Sequence, residues 1–485
     1  MSESTGVVFP LVDGRRSTAA TGRTIVADAL RQVDPIGAAA TERETNWRAG
    51  YLVHFRRLVE AGLPSTEAAL TIARDGLSSV HTRLQWGDPD AADEALSSAF
   101  AHPPAPVVTE EVRGTGDRET ELSVPYRGER LRGDALRRQV DAWIAAGVAE
   151  PSLAEVVDEV IDHPEWLSVP HRTVVVLGAA AEMGPLRSLL RWGGTVAAVD
   201  LPRPGLWEPL LAEAGESAGR LLVPARPGDR PLAARAGGDL IHDLSTVGSW
   251  VTGLDGPLVL GNYVYADGAM NVRVCAAVDA LTEHVRGLRP SGEVGMSFLA
   301  TPTDVFAVPG DAVRASVDSY AGRRVSKALR VPLRTLSGGR LLRRNYVPGE
   351  DPGINDSVVT QQGPNYLLAK RIQRWRAAVA RAEGVPVSFH IAPPTRTRSV
   401  VKNRALAAAY AGAHRFGIEV FEPGTSNTLM AALLVHDVMT GPRASLGHPW
   451  QDEAHAAVHG GLWRAAYDPR SALGLAALLG VGASR

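Results

Sequence analysis

The sequence predicts an α/β fold, a doubly wound parallel sheet with an additional N-terminal helical domain. Three observations lead there. From residue 172 onward, short apolar runs recur between stretches of helical periodicity. Those runs are largely unbroken, as expected of parallel strands covered on both faces by helices. Upstream of about residue 168, helical periodicity dominates instead.

In chain order, "TNWRAGYLVHFRRLVEAGL" (45–63) and "STEAALTIARDGLSSVHTRLQW" (65–86) read as helices. Ser65 with Glu67 marks the start of the second, because a serine hydroxyl can accept from an orphan N–H of the first turn. The stretch 101–121 is rich in Pro, Gly and polar residues and reads as a loop or linker. Residues 133–167 are helical again. The strand runs that follow are "RTVVVLG", "GTVAAVD", "GDLIHDL", "GPLVLGN", "GEVGMSFLA" and "VPVSFHIA". The expected organisation is a mainly helical accessory domain (1–168), an α/β domain (169–440) with an insertion at about 303–362, and a C-terminal tail (441–485) packing on the core.

The composition is that of an ordinary globular chain: 485 residues, 45% apolar, 21% charged, net charge −2. Nothing in the charge points to nucleic acid or a membrane surface. The one cysteine, Cys275, excludes an intrachain disulfide and any Cys-based zinc site. No signal-peptide pattern and no run of 18 apolar residues is present, so a cytoplasmic protein is expected.

The chemistry starts from Tyr366 and Lys370. The chain has nine tyrosines and only three lysines, Lys327, Lys370 and Lys402. Chance then supplies about 0.06 Tyr-x-x-x-Lys pairs, so the spacing is informative. On a helix the two residues share a face. A lysine cation beside a phenol favours the phenolate and lowers a pKa ordinarily near 10, as an acid/base group acting at neutrality requires. A second pattern runs from Gly178 to Asp200. Gly178 closes a strand and Gly184 precedes a helix, so a pyrophosphate can approach backbone N–H groups there. Asp200 ends the next strand 22 residues later. A carboxylate there can accept from an adenosine ribose and repel a 2′-phosphate, which favours NAD over NADP, although Arg203 stands close by.

These pieces, in this order, resemble the short-chain dehydrogenase/reductase (SDR) superfamily over residues 172 to 440. "LGAAAEMG" is similar to its glycine loop, with Glu182 in place of the middle glycine. "IHDLSTVGSW" puts Asp243 where the family contacts adenine. "LVLGNYVYADG" supplies Asn262 at a strand end, and "GAMNVRVCAAVDAL" supplies Asn271. "GPNYLLAKRIQRW" is similar to the tyrosine helix, and Pro393-Pro394 and Thr397 stand where the family has Pro-Gly and a carboxamide contact. The resemblance implies a Rossmann-type sheet and a bound NAD, with NADP the alternative. It also implies Tyr366 as acid/base, Lys370 on the nicotinamide ribose, and Asn271 holding a water beside Lys370. For the family's serine, Thr301 is the first choice. Ser297, Thr303 and Ser357 are alternatives, and all four can equally be ordinary strand or loop hydroxyls.

The insertion contains "YAGRRVSKALRVPLRTLSGGRLLRRNY" (320–346), eight basic residues and no acid. It is either a solvated helical face or an attraction for an anionic substrate group. His390 reads as a core histidine. His448, His455 and His459 lie in the tail; the last two are four apart and could share a helix face, without the Glu of a zinc-protease helix. The expected function is an NAD-preferring oxidoreductase that interconverts an alcohol and a carbonyl on a small molecule. No metal, nucleic acid or membrane takes part, and a homo-oligomer is possible. The alternatives are a non-catalytic NAD(P)-binding sensor or scaffold and an S-adenosylmethionine-dependent methyltransferase.

Overall fold

A computed structural model of the chain describes residues 5–88, 90–322 and 324–481. At its centre is a seven-stranded sheet. In space the strands run Val387–Ile391, Val294–Ala300, Leu258–Asn262, Thr173–Leu177, Thr195–Val199, Arg220–Ala225 and Val108–Arg113. All are parallel except Val108–Arg113, which closes one edge antiparallel to Arg220–Ala225. Leaving that edge strand aside, the spatial order in chain terms is 3-2-1-4-5-6, the arrangement of dinucleotide-binding sheets. The order reverses between Thr173–Leu177 and Leu258–Asn262. A crevice is expected beyond their paired ends, Leu177 and Asn262.

The two layers follow from the period of two along each strand. Val174, Val176, Val196 and Ala198 face a core shared with the helices Gly133–Ala145, Ser152–Asp162 and Pro423–Thr440. Val175, Leu177, Ala197 and Val199 face the opposite core, shared with Ala269–Leu288 and Gly363–Ala382. The N-terminal helices Thr18–Leu30 and Thr66–Arg83 contribute to this same core and pack over the latter two. Ser65 caps Thr66–Arg83 as its sequence predicts, its hydroxyl accepting from the Ala68 N–H at 3.1 Å. Among the described residues, no helix is long and apolar enough to cross a membrane.

Two segments differ from expectation. Val108–Arg113, read as linker, is a strand. Its charge belongs to an exposed sheet edge, where Glu111 takes two bonds from Arg220 at 3.0 Å each and Glu110 takes one from Arg235 at 2.6 Å. The third parallel strand is Arg220–Ala225, not the apolar run at 238–244. Pro224 disguises it, yet is tolerated because pairing with Thr195–Val199 ends at Leu222. Asp243 therefore follows a long loop and heads the helix Leu244–Thr252, where its carboxylate accepts from the Asp239 N–H at 3.1 Å.

The tail is held by buried charge. Glu150 accepts from His459 at 3.0 Å and from Arg464 at 2.9 Å, and Arg464 also reaches Asp311 at 2.8 Å. His455 and His459 do not share a helix face. The helix ends at Ala454, and Ala456 takes a left-handed φ of 51°. Removing Glu150 leaves a buried guanidinium and imidazole without their shared acceptor. Glu150→Ala is expected to lower the unfolding free energy by about 3 kcal/mol in urea titration. Glu111→Ala, at a solvated edge, should lower it by less than about 1 kcal/mol. Equal losses would contradict this account of the tail.

Candidate functional site

The site lies at the carboxyl ends of the parallel strands. Gly178 follows the first strand with φ +88°, and a Cβ there would meet the Tyr263 carbonyl oxygen at 2.9 Å. Its glycine requirement thus comes from the neighbouring strand's backbone as well as from the turn. The next helix is short, Leu186–Arg191, and Gly184 lies just ahead of it. Asp200 bends back over the glycine turn. One carboxylate oxygen accepts from the Ala180 N–H and the other from Leu201, each at 2.8 Å. Burial raises the pKa of this carboxyl, against those two bonds and the nearby Arg203.

For a dinucleotide the fit is as follows. Each Asp200 oxygen keeps a second lone pair for a ribose hydroxyl. The backbone N–H groups of Glu182 and Met183 have no hydrogen-bond partner among the described residues, so two donors remain at the turn. Glu182 spans to the loop after the last strand, accepting from the Arg398 N–H at 2.8 Å and pairing with its guanidinium at 3.1 Å. Pro393 and Thr397 lie in that loop. The Pro393 carbonyl accepts from the Thr395 hydroxyl at 2.8 Å, and the Thr397 hydroxyl pairs with Ser399 at 2.9 Å.

Tyr366 stands in the first turn of the helix Gly363–Ala382, which opens on Gly363 at φ +78° and Pro364. Its phenol lies near Thr301, just past the end of Val294–Ala300, and that side chain acts to lower the phenol's pKa. The insertion that separates these residues in sequence is closed on itself. Thr301 and Thr303 share a hydrogen bond at 2.9 Å, and Gln362, immediately before the tyrosine helix, donates to Thr303 at 2.9 Å. The insertion's strands Val305–Val308 and Gly353–Asp356 pair antiparallel, bringing the ends together. Of the other hydroxyls, Ser297 bonds Tyr263 at 2.7 Å in the buried sheet, and Ser357 is tied to Asn355.

Lys370 departs from expectation. Its ammonium donates to the Leu299 carbonyl at 3.2 Å and to Gln373 at 3.1 Å, and Gln373 in turn donates to Asn262 at 3.1 Å. The lysine is thus turned toward the strand ends, and burial lowers its pKa. The phenol of Tyr366 shifts opposite to the expected direction. Burial, then Tyr265, Asp304 and Tyr410, push its pKa well above the ordinary value. Tyr366 therefore stays protonated at neutrality. Asn271 accepts from the Ala266 N–H at 3.1 Å and so shapes the 263–268 turn. Among the described residues no hydrogen bond joins it to Lys370.

Sequence reasoning missed Gln373, Gln362 and two tyrosines. Tyr265 stands edge-on to Tyr366 with ring centroids 6.2 Å apart, and burial pushes the Tyr410 phenol up to about 12. Gln373 carried a usable signal, since it lies three residues after Lys370 on the same helical face. The basic stretch of the insertion is partly engaged. Arg330 lies 3.8 Å from the Tyr320 ring centroid, Arg334 donates to the Tyr320 hydroxyl at 2.7 Å, and Arg343 pairs with Asp468 at 3.1 Å. Arg323, and the side chains of Arg324 and Lys327, lie outside the described residues.

The depressed Lys370 pKa has a signed consequence. Between its folded pKa and the unfolded value near 10.4, the unfolded chain binds more protons, so this lysine makes stability rise with pH. The wild type should gain stability relative to Lys370→Met as pH climbs from about 7 toward about 10, read from urea unfolding at matched pH values. A difference that does not change with pH would contradict the burial assigned to this ammonium.

Comparison of the chain with protein-family models, with curated proteins and with solved structures found no match. The functional reading therefore rests on the site itself.

Proposed function

We propose that the chain is an NAD(P)-dependent oxidoreductase of short-chain dehydrogenase/reductase type, interconverting an alcohol and a carbonyl on a small molecule. The observation that carries the reading is the placement of the Tyr366 phenol beside Thr301 at the mouth of a sheet with 3-2-1-4-5-6 strand order. Two hydroxyls on separate elements, one raised in pKa, can hold a carbonyl oxygen between them while the phenol donates a proton to it. The bound nicotinamide supplies the hydride. Asp200 would take the adenosine ribose, and the Glu182 and Met183 N–H groups with Arg398 would take the phosphates. The raised phenol keeps Tyr366 protonated at neutral pH, the form that can donate to a carbonyl oxygen. Lys370 acts here as a positioning residue that joins the tyrosine helix to Leu299 and, through Gln373, to Asn262. The N-terminal helices Thr18–Leu30 and Thr66–Arg83 serve as an accessory layer over the helix that carries Tyr366.

One observation favours a second reading, a non-catalytic NAD(P)-binding sensor or scaffold. Lys370 is engaged away from Tyr366, so the pairing that would ease phenol ionisation is missing.

The two readings separate experimentally. Calorimetry should find NADH bound more tightly than NADPH, and Asp200→Ala should weaken NADH. Binding of S-adenosylmethionine without either nucleotide would sink both readings. With a carbonyl substrate identified by NADH-consumption screening, Tyr366→Phe is expected to cut turnover by roughly 10² to 10⁴ with NADH affinity nearly unchanged. Thr301→Val should also slow turnover. Full activity in Tyr366→Phe would remove the oxidoreductase mechanism. NADH binding with no turnover on any carbonyl would favour the scaffold.

A further inference from the structure

A cavity of about 240 Å³ opens beside Val387–Ile391, the parallel strand at the sheet's edge. An apolar cavity of about 150 Å³ already stays dry and takes up benzene. Besides that strand, three segments wall it: the first turns of Thr66–Arg83, the last turns of the tyrosine helix Gly363–Ala382, and the tail segment 445–453. Leu70, Ala377, Ala378, Ala382, Phe389 and Pro449 supply the apolar lining. Leu70, Ala377 and Phe389 among them are buried.

Every polar side chain that lines the cavity already has a protein partner. Thr66 donates to the Gly447 carbonyl. The Ser445 hydroxyl donates to Asp452 at 2.7 Å, and Asp452 also accepts from the Leu446 N–H at 3.0 Å. Glu453 takes two bonds from Arg374, both 2.7 Å, and Arg374 donates to Asp304 as well, at 2.9 Å. Arg381 donates to the Val387 carbonyl at 3.0 Å. The charged groups of the lining are two arginines and two acids, so their formal charges cancel. An anion drawn to Arg381 meets Asp452 and Glu453 on the same lining, and a cation drawn to the acids meets the arginines. Neither sign of charge recovers the cost of leaving water. A neutral apolar molecule gives up only water and gains contacts along the lining.

We propose that this cavity binds a small neutral apolar molecule, a single aromatic ring with a short chain or a fused pair of rings, packed against Leu70, Ala377 and Phe389. The volume sets that size, somewhat above a bare benzene ring. The site is independent of the nucleotide reading. It lies on the last turns of the tyrosine helix, whereas Tyr366 stands in the first turn. Its walls come from the N-terminal helices, the α/β core and the tail, so an occupant joins all three and stabilises the folded chain.

The test uses the full chain. Ethylbenzene, indole, benzoate and benzylammonium are titrated by calorimetry at neutral pH and several temperatures. Ethylbenzene or indole is expected to bind saturably, with a negative heat-capacity change, and to raise the melting temperature. Benzoate and benzylammonium are close to ethylbenzene in size but charged, and should bind at least about tenfold more weakly. Ala378→Met, which fills the cavity from a half-buried wall position, should weaken the neutral ring by at least about tenfold. If that variant does not fold, a crystal of the native chain under xenon replaces it, and the gas should lie between Leu70, Ala377 and Phe389. Either ion binding as tightly as the neutral rings, full affinity in Ala378→Met, a cavity without xenon, or no saturable binding of either neutral ring would overturn the proposal.

Discussion

The placement of the tyrosine helix depends on one buried carboxylate. Asp304, just beyond Val294–Ala300, accepts from Arg374 at 2.9 Å and from Arg371 at 3.3 Å. Its carbonyl also receives the Ser357 N–H at 3.1 Å, returning from the insertion. Arg374 adds a bond to the Val305 carbonyl at 2.9 Å and is held from the other side by Glu453. Breaking such a buried pair costs about 3–5 kcal/mol, because one charge is left without its partner. The arginines fix the rotation of Gly363–Ala382 against the strand ends. Tyr366, about two turns toward the N-terminus from Arg374, is thereby aimed at Thr301. The same carboxylate is among the causes that raise the Tyr366 pKa.

This constraint explains how a large insertion can be tolerated next to a site. The chain leaves the sheet at Thr301, makes a two-stranded ribbon and two helices, and returns at Gln362 within hydrogen-bond distance of Thr303. Loop-closure entropy grows slowly with length, so the added chain costs little once its ends are pinned. Pinning is what Asp304, Thr303 and the paired strands Val305–Val308 and Gly353–Asp356 provide. The same logic applies to the tail, where Glu150 collects His459 and Arg464 from a segment distant in sequence.

Local rules carried much of the fold in the sequence. The unbroken apolar run Thr173–Leu177 fits burial on both faces, and Ser65 caps its helix through its own hydroxyl. Where tertiary context decides, the sequence misled. The charges of Thr109 to Arg113 look like a linker until Arg220 and Arg235 are set beside them. Pro224 hides a strand whose pairing with Thr195–Val199 has already ended at Leu222, while the edge strand Val108–Arg113 still runs alongside it. Of the candidate site, Thr301 and Asp200 lie just past strand ends and Tyr366 in the first turn of its helix. The direction of Lys370 was not legible. Spacing puts it on the tyrosine's side of the helix, but the Leu299 carbonyl and Gln373 offer a buried ammonium better partners than a neutral phenol. Nor could spacing reveal Asp304 with Arg374, seventy residues apart.

The central claim is that the crevice at the strand-order reversal takes a nicotinamide dinucleotide whose reactive end meets Thr301 and Tyr366. A crystal structure of the full chain with NADH tests it most directly. The account predicts the adenosine ribose on Asp200 and the nicotinamide ring within reach of the Tyr366 and Thr301 hydroxyls. A nucleotide bound elsewhere on the chain, or bound with its nicotinamide turned away from those two side chains, would contradict it.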